Sequence, residues 1–390
     1  MRIGGRRARP IRRVVPAGLV AAVVMGGTVL GLSGPATAAA PPPSAPLATG
    51  LADGSTFWAV VPMGRLGDPL NTFWEAFAAG PSGPWQLVTP KAVASNGGLV
   101  LAPGAGALTV GFQPSQNLVL SPLAVSADAG AHWSPGLLPL RLGLVPDALA
   151  ERPSGGLLAL TRAGVLVVSA GSVPPWRVAT SAAALAATGA GRTCRSGGLS
   201  AVAADPAGQA VLGASCASAR VGVFVGSASS WRLAGPTLGG GVRSTRVLRL
   251  VADGPTLSVL VGTASSRGAG LVDLESGDGG ATWSVSASLP VPSGTTLVST
   301  SPTASGFAVQ LSGPPGSLWT LAYAAEGGQG TWDRQPAPPS GTQAVVPGPG
   351  GLDALAVSNS RLTVWSLAAG TTSWARTQSL EVPVPYGSSS

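Results

Sequence analysis

Tryptophan recurs along this chain at nearly regular intervals, and each copy follows a short turn of small residues. The intervals are 48, 43, 55, 52, 49 and 42 residues, between Trp85, Trp133, Trp176, Trp231, Trp283, Trp332 and Trp374. A period of about 40 to 50 residues is typical of a four-stranded β unit, which cannot bury its faces without neighbours. The pattern therefore predicts a repeat-built all-β fold rather than two or three unrelated domains.

The fullest copy of the repeat is SGDGGATW, and it has the chemistry of a hairpin turn. Its key residues are Ser276, Asp278, Gly280, Thr282 and Trp283. Asp278 can accept hydrogen bonds from backbone N–H groups of its own turn, and glycine takes a positive φ without a Cβ penalty. A second copy, SADAGAHW, keeps Ser126, Asp128, Gly130 and Trp133, with His132 in place of the threonine.

Glycine supplies a second marker that does not depend on tryptophan. Glycines at the start of apolar strands are separated by 52, 50, 52, 46, 52 and 45 residues, at Gly54, Gly106, Gly156, Gly208, Gly254, Gly306 and Gly351. Two of them stand in Asp-Gly dipeptides, a strong hairpin signal. Both markers predict seven repeats.

The S-x-D-x-G-x-x-W pattern resembles the Asp-box, or BNR, repeat of sialidase-like β-propellers. The resemblance implies a seven-bladed β-propeller of four-stranded antiparallel blades over residues 47–386, with six or eight blades as alternatives. Two repeats carry the full motif, and the others keep the tryptophan. A propeller by itself does not imply an activity.

The N-terminus has the pattern of a secretory signal peptide. An arginine-rich start is followed by an apolar run from Val14 to Leu32 and by the small-residue site Ala36-Thr37-Ala38. Cleavage after Ala38 or Ala40 is expected, and an uncleaved membrane anchor is the alternative. Residues 41–46 form a Pro-rich spacer and residues 387–390 a disordered tail. The composition, rich in Ala, Gly, Pro and Arg, indicates an actinobacterial source.

The charge of the chain argues against a nucleic-acid partner. The formal net charge is +8, but six of the 23 basic residues lie in the first 13 positions, so the exported part is nearly neutral. Only 10% of residues are charged. A basic footprint that neutralises phosphates is therefore not expected.

The two cysteines predict a disulfide. Cys194 and Cys216 lie symmetrically about the turn at 204–209, so an antiparallel hairpin would bring them face to face. Export permits oxidation. A redox or metal pair is disfavoured because no C-x-x-C motif is present.

Sialidase chemistry has little support in these residues. The resemblance implies an arginine triad, an Arg-Ile-Pro motif and a tyrosine nucleophile with a glutamate partner. The nearest equivalents are Arg152-Pro153 and the tyrosines Tyr323 and Tyr386, with Glu326 three residues after Tyr323, and none fits. Glycoside hydrolysis could instead use carboxylates that converge on the channel, and the candidates are Asp147, Glu151 and Asp353.

The acidic turns are predicted to be structural. Asp128 and Asp278 belong to turns at the rim, and His132, the single histidine, has no partner on the chain for a triad or a histidine-based metal site. A calcium site at Asp273, Glu275 and Asp278 is disfavoured because the spacing is not that of a calcium loop. No cofactor is expected.

The repeated tryptophans are predicted to pack between blades. A sugar-stacking platform is the alternative interpretation for them. Trp58 and Trp74 lie outside the shared register, on neighbouring strands, and are the candidate ligand surface.

The leading hypothesis is a secreted, monomeric, non-catalytic binding or scaffold propeller. It would act on an extracellular glycan, peptide or protein and have no membrane span after signal cleavage. The alternative is a divergent, sialidase-like glycoside hydrolase. A purely structural envelope component is the third hypothesis.

Overall fold

The computed structural model describes residues 41–68, 71–90, 97–104, 106–113, 118–170, 175–227, 230–314, 320–325 and 330–383. The predicted signal peptide, the predicted tail, Glu326 and Tyr386 lie outside these ranges. Within them the chain forms 29 strands and two short helices. The strands follow one another in groups of four, which we call units 1 to 7 in chain order.

The first three units precede the helices. Unit 1 comprises β1 (Thr49–Asp53), β2 (Thr56–Gly64), β3 (Thr72–Ala79) and β4 (Gln86–Leu87). Unit 2 comprises β5 (Leu99–Gly104), β6 (Ala107–Phe112), β7 (Ser121–Ser126) and β8 (Ser134–Leu138). Unit 3 comprises β9 (Leu149–Glu151), β10 (Leu157–Leu160), β11 (Val165–Val168) and β12 (Arg177–Ser181).

Helices α1 (Ala182–Ala187) and α2 (Gly189–Cys194) connect unit 3 to unit 4. Unit 4 comprises β13 (Ser196–Ala204), β14 (Ala210–Cys216), β15 (Gly222–Ser227) and β16 (Ser230–Leu233). Unit 5 comprises β17 (Val242–Asp253), β18 (Thr256–Ser265), β19 (Gly268–Ser276), β20 (Ser284–Val285) and a further segment of the last strand, β21 (Leu289–Val291).

Unit 6 comprises β22 (Thr296–Thr303), β23 (Gly306–Ser312), β24 (Thr320–Ala325) and β25 (Trp332–Gln335). Unit 7 comprises β26 (Thr342–Gly348), β27 (Gly351–Ser358), β28 (Arg361–Ala368) and β29 (Ala375–Glu381). The described strands form six antiparallel sheets, five with four strands and one with nine. The nine-stranded sheet joins units 4 and 5 through pairing of β14 with β17.

The units follow one another around a ring whose inner wall is made by their first strands. Contacts run from β5 to β9, β9 to β13, β13 to β17, β17 to β22, β22 to β26 and β26 back to β1. The hydrophobic clusters lie between neighbouring units, because alternate side chains of each strand point to opposite faces of its sheet. Each sheet is thus buried on both faces by its neighbours.

Antiparallel pairing places the turns of every unit on two opposite faces. We call the hairpin face the side that carries the turns between first and second strands and between third and fourth strands. We call the crossover face the side that carries the turns between second and third strands and the links between units. The inner strands run from the crossover face to the hairpin face.

A disulfide joins Cys194 to Cys216, with Cα atoms 5.0 Å apart, which confirms the predicted pairing. The predicted placement of both cysteines on one hairpin is wrong, because Cys194 ends helix α2 instead of lying on a strand. Short caps hold the two helices: Ser181 Oγ accepts a hydrogen bond from Ala184 N, and Thr188 Oγ1 accepts one from Gly191 N.

The Pro-rich segment 41–48 lies against the ring on the crossover face. Arg246 Nη1 donates a hydrogen bond to Ser44 Oγ at 2.7 Å, and Ala45 packs against the cluster between units 5 and 6. Ala48 O accepts a hydrogen bond from Thr300 N on β22. The segment therefore runs along the crossover-face end of the inner strands.

Candidate functional site

A cavity of about 410 Å³ opens at the channel mouth on the hairpin face. Its walls are the ends of inner strands, and its apolar lining includes Leu51, Leu101, Leu149, Val202, Leu250 and Val251. The cavity is also lined by acidic side chains, including those of Glu151, Asp253 and Glu275. Concave sites with an apolar lining and a few polar groups are the usual form of small-ligand sites.

An ion pair inside the channel contributes to the wall of this cavity. Arg249 on β17 is only 3% exposed, and its guanidinium forms an ion pair with Asp147, with Nη2 2.8 Å from Oδ1. The Nε atom donates to both carboxylate oxygens at 3.0 Å, and Leu250 N donates to Oδ2 at 2.7 Å. The charge of Asp147 is therefore neutralised, and its oxygens are already hydrogen-bonded.

The same arginine connects three inner strands. Its Nη1 atom donates to the Thr49 hydroxyl on β1 and to the Thr300 carbonyl on β22. Thr49 Oγ1 in turn donates to Thr300 O at 2.7 Å. The buried positive charge of Arg249 is tolerated because its guanidinium is paired with a carboxylate and donates hydrogen bonds to groups of the channel wall. Arg249 is thus a structural centre of the ring as well as part of the cavity wall.

Glu151 lines the cavity, and its pKa is raised above that of an ordinary glutamate. Burial raises its pKa, the nearby charge of Asp53 raises it further, and a hydrogen bond with Thr109 opposes both effects. Its side chain passes over the backbone of Gly104, where a Cβ atom would collide with the carboxylate. A glycine at position 104 is what allows the Glu151 carboxylate to reach this place.

Asp273 lies behind the cavity on β19, two residues from Glu275. It is 3% exposed, and its Oδ1 atom has no hydrogen-bond partner among the described residues. Burial, followed by the charge of Glu275, raises the pKa of Asp273 to about 7. Asp273 is not among the residues that line the cavity.

The three acids proposed for hydrolysis do not converge. Asp147 and Glu151 both line the hairpin-face cavity, but Asp147 is held by Arg249. Asp353 is buried on β27 and accepts a hydrogen bond from Trp85 Nε1 at 2.7 Å, at the boundary between units 7 and 1. It is not among the residues that line this cavity.

The two acidic turns have nearly the same geometry. Ser276 Oγ donates to Asp278 Oδ1 at 2.8 Å, and Asp278 accepts from the backbone and side chain of Thr282. In the other turn Asp128 accepts from His132 N and contacts His132 Nδ1 at 2.6 Å. These hydrogen bonds lower the pKa of both aspartates, that of Asp128 to about 2. Both carboxylates are engaged within their own turns.

The glycines of these turns approach the preceding unit. A Cβ at Gly280 would lie 2.9 Å from Ala234, and one at Gly130 would lie 2.6 Å from Val88. Both glycines also have positive φ, 85° and 88° respectively. The turn therefore requires glycine for its backbone and for its packing on the neighbouring unit.

Most of the repeated tryptophans donate an indole hydrogen bond toward the preceding unit. The acceptors are Leu137 O for Trp176, Ala234 O for Trp283, Ala287 O for Trp332, Pro336 O for Trp374 and the Asp353 carboxylate for Trp85. The indole N–H groups of Trp133 and Trp231 have no partner among the described residues. The tryptophans thus donate hydrogen bonds between units in addition to packing there, and the spacing of the repeats does not predict these bonds.

Trp58 and Trp74 do not form a shared exposed surface. Trp58 is 3% exposed and packs between units 1 and 2. Trp74 is half-buried and contacts two different hydrophobic clusters. The expected ligand surface at this pair is therefore not present, because both side chains pack between the sheets of neighbouring units.

Sequence reasoning missed Arg249 and Glu275. Arg249 stands in the otherwise apolar run Val247–Val251 of an inner strand, and a charge in such a run is a usable signal for a channel-facing residue. Glu275 directly precedes the acidic turn and was considered only as a calcium ligand. No group of three or more metal-ligating side chains occurs among the described residues. Within the same ranges, no helix is long and apolar enough to cross a membrane.

Solved structures share this architecture at low sequence identity. A glycoside hydrolase family 74 enzyme of Niastella koreensis superposes with a TM-score of 0.53 and 15% identity, covering 86% of this chain and 54% of that one. A family 74 xyloglucanase of Xanthomonas campestris gives 0.51 and 15%, covering 84% and 52%. The periplasmic gluconolactonase of Pseudomonas aeruginosa gives 0.53 and 15%, covering 85% and 98%.

The chain thus spans about half the length of the two glycoside hydrolases and nearly the whole of the gluconolactonase. No known protein family and no curated protein matches the sequence. The ring of four-stranded antiparallel sheets and these similarities confirm the predicted all-β fold, and the chain is a β-propeller.

Proposed function

We propose that this protein is an exported, non-catalytic binding propeller whose hairpin-face cavity holds an uncharged glycan. The propeller has seven blades, which correspond to units 1 to 7, and its repeats are of the Asp-box type. The observation that carries the proposal is the charge of the cavity. Four carboxylates are among its described lining residues, and one of them, Asp147, neutralises the arginine of the lining, Arg249, so three acids remain without a cationic partner there.

An acidic cavity selects against acidic sugars. A sialoside carboxylate would meet Glu151, Asp253 and Glu275 without a free cation to offset the repulsion. Sugar hydroxyls, by contrast, donate hydrogen bonds to carboxylates, and the apolar lining suits the C–H faces of a pyranose ring. A neutral glycan therefore fits the chemistry of the site better than a sialylated one.

Glycoside hydrolysis is the second candidate, and the raised pKa of Glu151 is the observation that favours it. A general acid near neutral pH needs a pKa above that of an ordinary glutamate. Some fold neighbours are named as a xyloglucanase and a gluconolactonase, but the likeness extends only to the fold. Asp147, the second of the acids predicted for hydrolysis that lines this cavity, is paired with Arg249.

The proposal includes export by the N-terminal signal peptide, cleavage after Ala38 or Ala40, and a monomeric state at the cell exterior. The disulfide between Cys194 and Cys216 supports an oxidising location.

Calorimetric titration with neutral and sialylated oligosaccharides tests the proposal. We expect binding of neutral glycans only, and a loss of at least about tenfold in affinity for Glu151→Ala or Glu275→Ala, each of which removes a charge-assisted hydrogen bond. Asp333→Asn, an exposed acid on the outer strand β25, is the matched control and should bind like the parent. Binding of sialylated glycans alone would contradict the proposal.

Product analysis of the same mixtures separates the two candidates. Bond cleavage that is lost in Glu151→Gln would replace the binding function with glycoside hydrolysis. Intact oligosaccharides after prolonged incubation, together with measurable affinity, are the expected result.

A further inference from the structure

After the arginine-rich N-terminus the chain is nearly neutral, but its arginines are not spread evenly over the ring. Ten of them lie in the turns, links and strand ends of the crossover face, at Arg65, Arg141, Arg162, Arg192, Arg195, Arg220, Arg243, Arg246, Arg267 and Arg361. Among the described residues, the acids on this face are Asp68 and Glu381, and Glu381 pairs with Arg361. The crossover face therefore carries a large excess of positive charge.

The hairpin face has the opposite character. Its exposed or half-buried acids are Asp53, Asp128, Glu151, Asp205, Asp253, Glu275, Asp278 and Asp333. Its arginines are Arg152, Arg177, Arg232, Arg334 and Arg376. The small net charge of the exported chain thus conceals a division between an acidic face and a basic one.

Exposed apolar side chains accompany the arginines. Five large ones lie in turns and links of the crossover face, at Leu66, Leu118, Val119, Leu140 and Leu144. Val119 is 79% exposed and Leu144 is 45% exposed. Charge alone is sufficient for the non-specific binding of nucleic acids and soluble polyanions, which does not require such side chains. Apolar groups beside cationic ones match the interface of a bilayer, where the former enter the headgroup region.

The first described segment of the chain, residues 41–48, lies on the same face. Ser44 accepts its hydrogen bond from Arg246, one of the ten arginines.

We propose that the crossover face docks peripherally on the surface of a membrane that contains anionic lipids. Arginine guanidinium groups contact lipid phosphates, and the five apolar side chains enter the interface. The hairpin-face cavity then faces away from the bilayer. The docking surface and the glycan cavity use different residues, so failure of either proposal leaves the other intact.

Vesicle co-sedimentation tests the docking surface, using protein exported by an expressing host and freed of its leader. Vesicles contain either phosphatidylcholine alone or phosphatidylcholine with about one third phosphatidylglycerol. We expect binding to the anionic vesicles only, and weakening as NaCl is raised. The triple variant Arg162→Ser, Arg243→Ser, Arg267→Ser should bind about 100-fold more weakly, since each basic residue near a charged surface contributes to binding.

Two further variants make the test specific. The control Arg177→Ser, Arg334→Ser, Arg376→Ser removes the same charge from the hairpin face and should bind within about twofold of the parent. Val119→Ser with Leu144→Ser should weaken binding while leaving its salt dependence unchanged, because these residues carry no charge. Equal losses in the two triple variants would overturn the proposal. So would absence of vesicle binding at low salt, whether or not a soluble polyanion binds.

Discussion

The boundary between units 4 and 5 and the boundary between units 7 and 1 are held together by different kinds of interaction. Units 4 and 5 share a continuous sheet, because Ser215 pairs with Arg246 and Cys216 with Thr245 through the backbone. The disulfide to Cys194 lies beside this pairing. Units 4 and 5 are thus joined by backbone hydrogen bonds, next to a disulfide that ties helix α2 to β14 of unit 4.

Units 7 and 1 are joined mainly by side chains. Trp85 Nε1 donates to the buried Asp353 carboxylate, and Gln378 Nε2 donates to Trp85 O while Trp85 N donates to Gln378 Oε1. The backbone contributes an isolated bridge in which Gly64 N donates to Asn359 O. No strand is exchanged between these units in the described part of the chain. Closure of the ring therefore depends on side-chain hydrogen bonds and on the hydrophobic cluster between these units, and it should be sensitive to mutation there.

Removal of Trp85 should produce the largest effect. Trp85→Ala empties a buried site in the cluster between units 7 and 1 and leaves the Asp353 carboxylate without its indole donor. We expect a loss of about 5 kcal/mol in the free energy of unfolding. Trp283→Ala, whose indole donates to a carbonyl and is only half-buried, should cost less, about 3 kcal/mol.

Urea denaturation of both variants measures this difference. Trp85→Phe is the control that keeps an aromatic ring and loses the N–H donor. Equal losses for Trp85→Ala and Trp283→Ala would show that ring closure is no weaker than the other boundaries.

The pH dependence of stability should reveal the buried acids at two boundaries. Asp273, at the boundary between units 5 and 6, has its pKa raised from 3.8 to about 7 by burial and by Glu275. A raised pKa in the folded state means that the fold binds the proton more tightly than the unfolded chain does. The free energy of unfolding should therefore fall as the pH rises from about 4 to about 7, by up to about 4 kcal/mol.

Asp273→Asn should remove most of this slope, as measured by thermal unfolding at several pH values. Burial also raises the pKa of Asp353, against the hydrogen bonds of Ser366 and Trp85, so a smaller slope of the same sign should remain. Asp353→Asn in the Asp273→Asn background should reduce that remainder further, while the raised pKa values of Glu75 and Glu151 preserve part of it. Stability that rises with pH over this range would contradict the assignment.

Loss of the disulfide, which ties helix α2 to β14 beside the boundary between units 4 and 5, should lower stability by a smaller amount. Replacing both Cys194 and Cys216 by alanine opens a loop with a sequence separation of 22 and should cost about 3 kcal/mol. The backbone pairing of β14 with β17 remains, so the ring should stay closed. Hydrogen exchange at Ser215 and Thr245 measures this directly, and complete loss of protection there would show that the disulfide holds the sheet together.

The smallest effect is expected for Gln378→Ala. This change removes two hydrogen bonds to the backbone of Trp85 and should cost about 1 to 2 kcal/mol. Arg376→Ala, an exposed residue on the same strand, is the matched control and should leave stability within about 0.5 kcal/mol of the parent. If Gln378→Ala lowers the free energy of unfolding no more than the control does, the side-chain amide of Gln378 does not contribute to closing the ring.

Local chemistry was predictable wherever a residue acts within its own turn or strand. The Ser-x-Asp-x-Gly pattern specified hydrogen bonds between residues four positions apart or fewer, and the structure contains them at Ser126–His132 and at Ser276–Thr282. The disulfide was predictable for a related reason, since hairpin pairing brings distant positions together in a regular way. The position of Cys194 at the end of a helix was not predictable, because two short helices interrupt the link before β13.

The candidate site was predictable only in part. Glu151 and Asp147 were identified from their place at the inner strand of unit 3, and both line the cavity. The pairing of Asp147 with Arg249 joins residues 102 positions apart, and no local pattern encodes it. Trp58 was misassigned because an isolated tryptophan on a strand has the same appearance in sequence whether it faces a ligand or a neighbouring unit.

The repeat, the turn geometry and the all-β class follow from the order of the residues, because these features depend on residues within a few positions of one another. The pairing of charges depends instead on how the ring folds. Folding brought Arg249 to Asp147, placed Asp353 under Trp85, and sorted the arginines and acids onto opposite faces. The physical reason is that a closed ring makes neighbours of residues separated by hundreds of positions. The interactions that close it depend on distances in space, which the order of the residues does not contain.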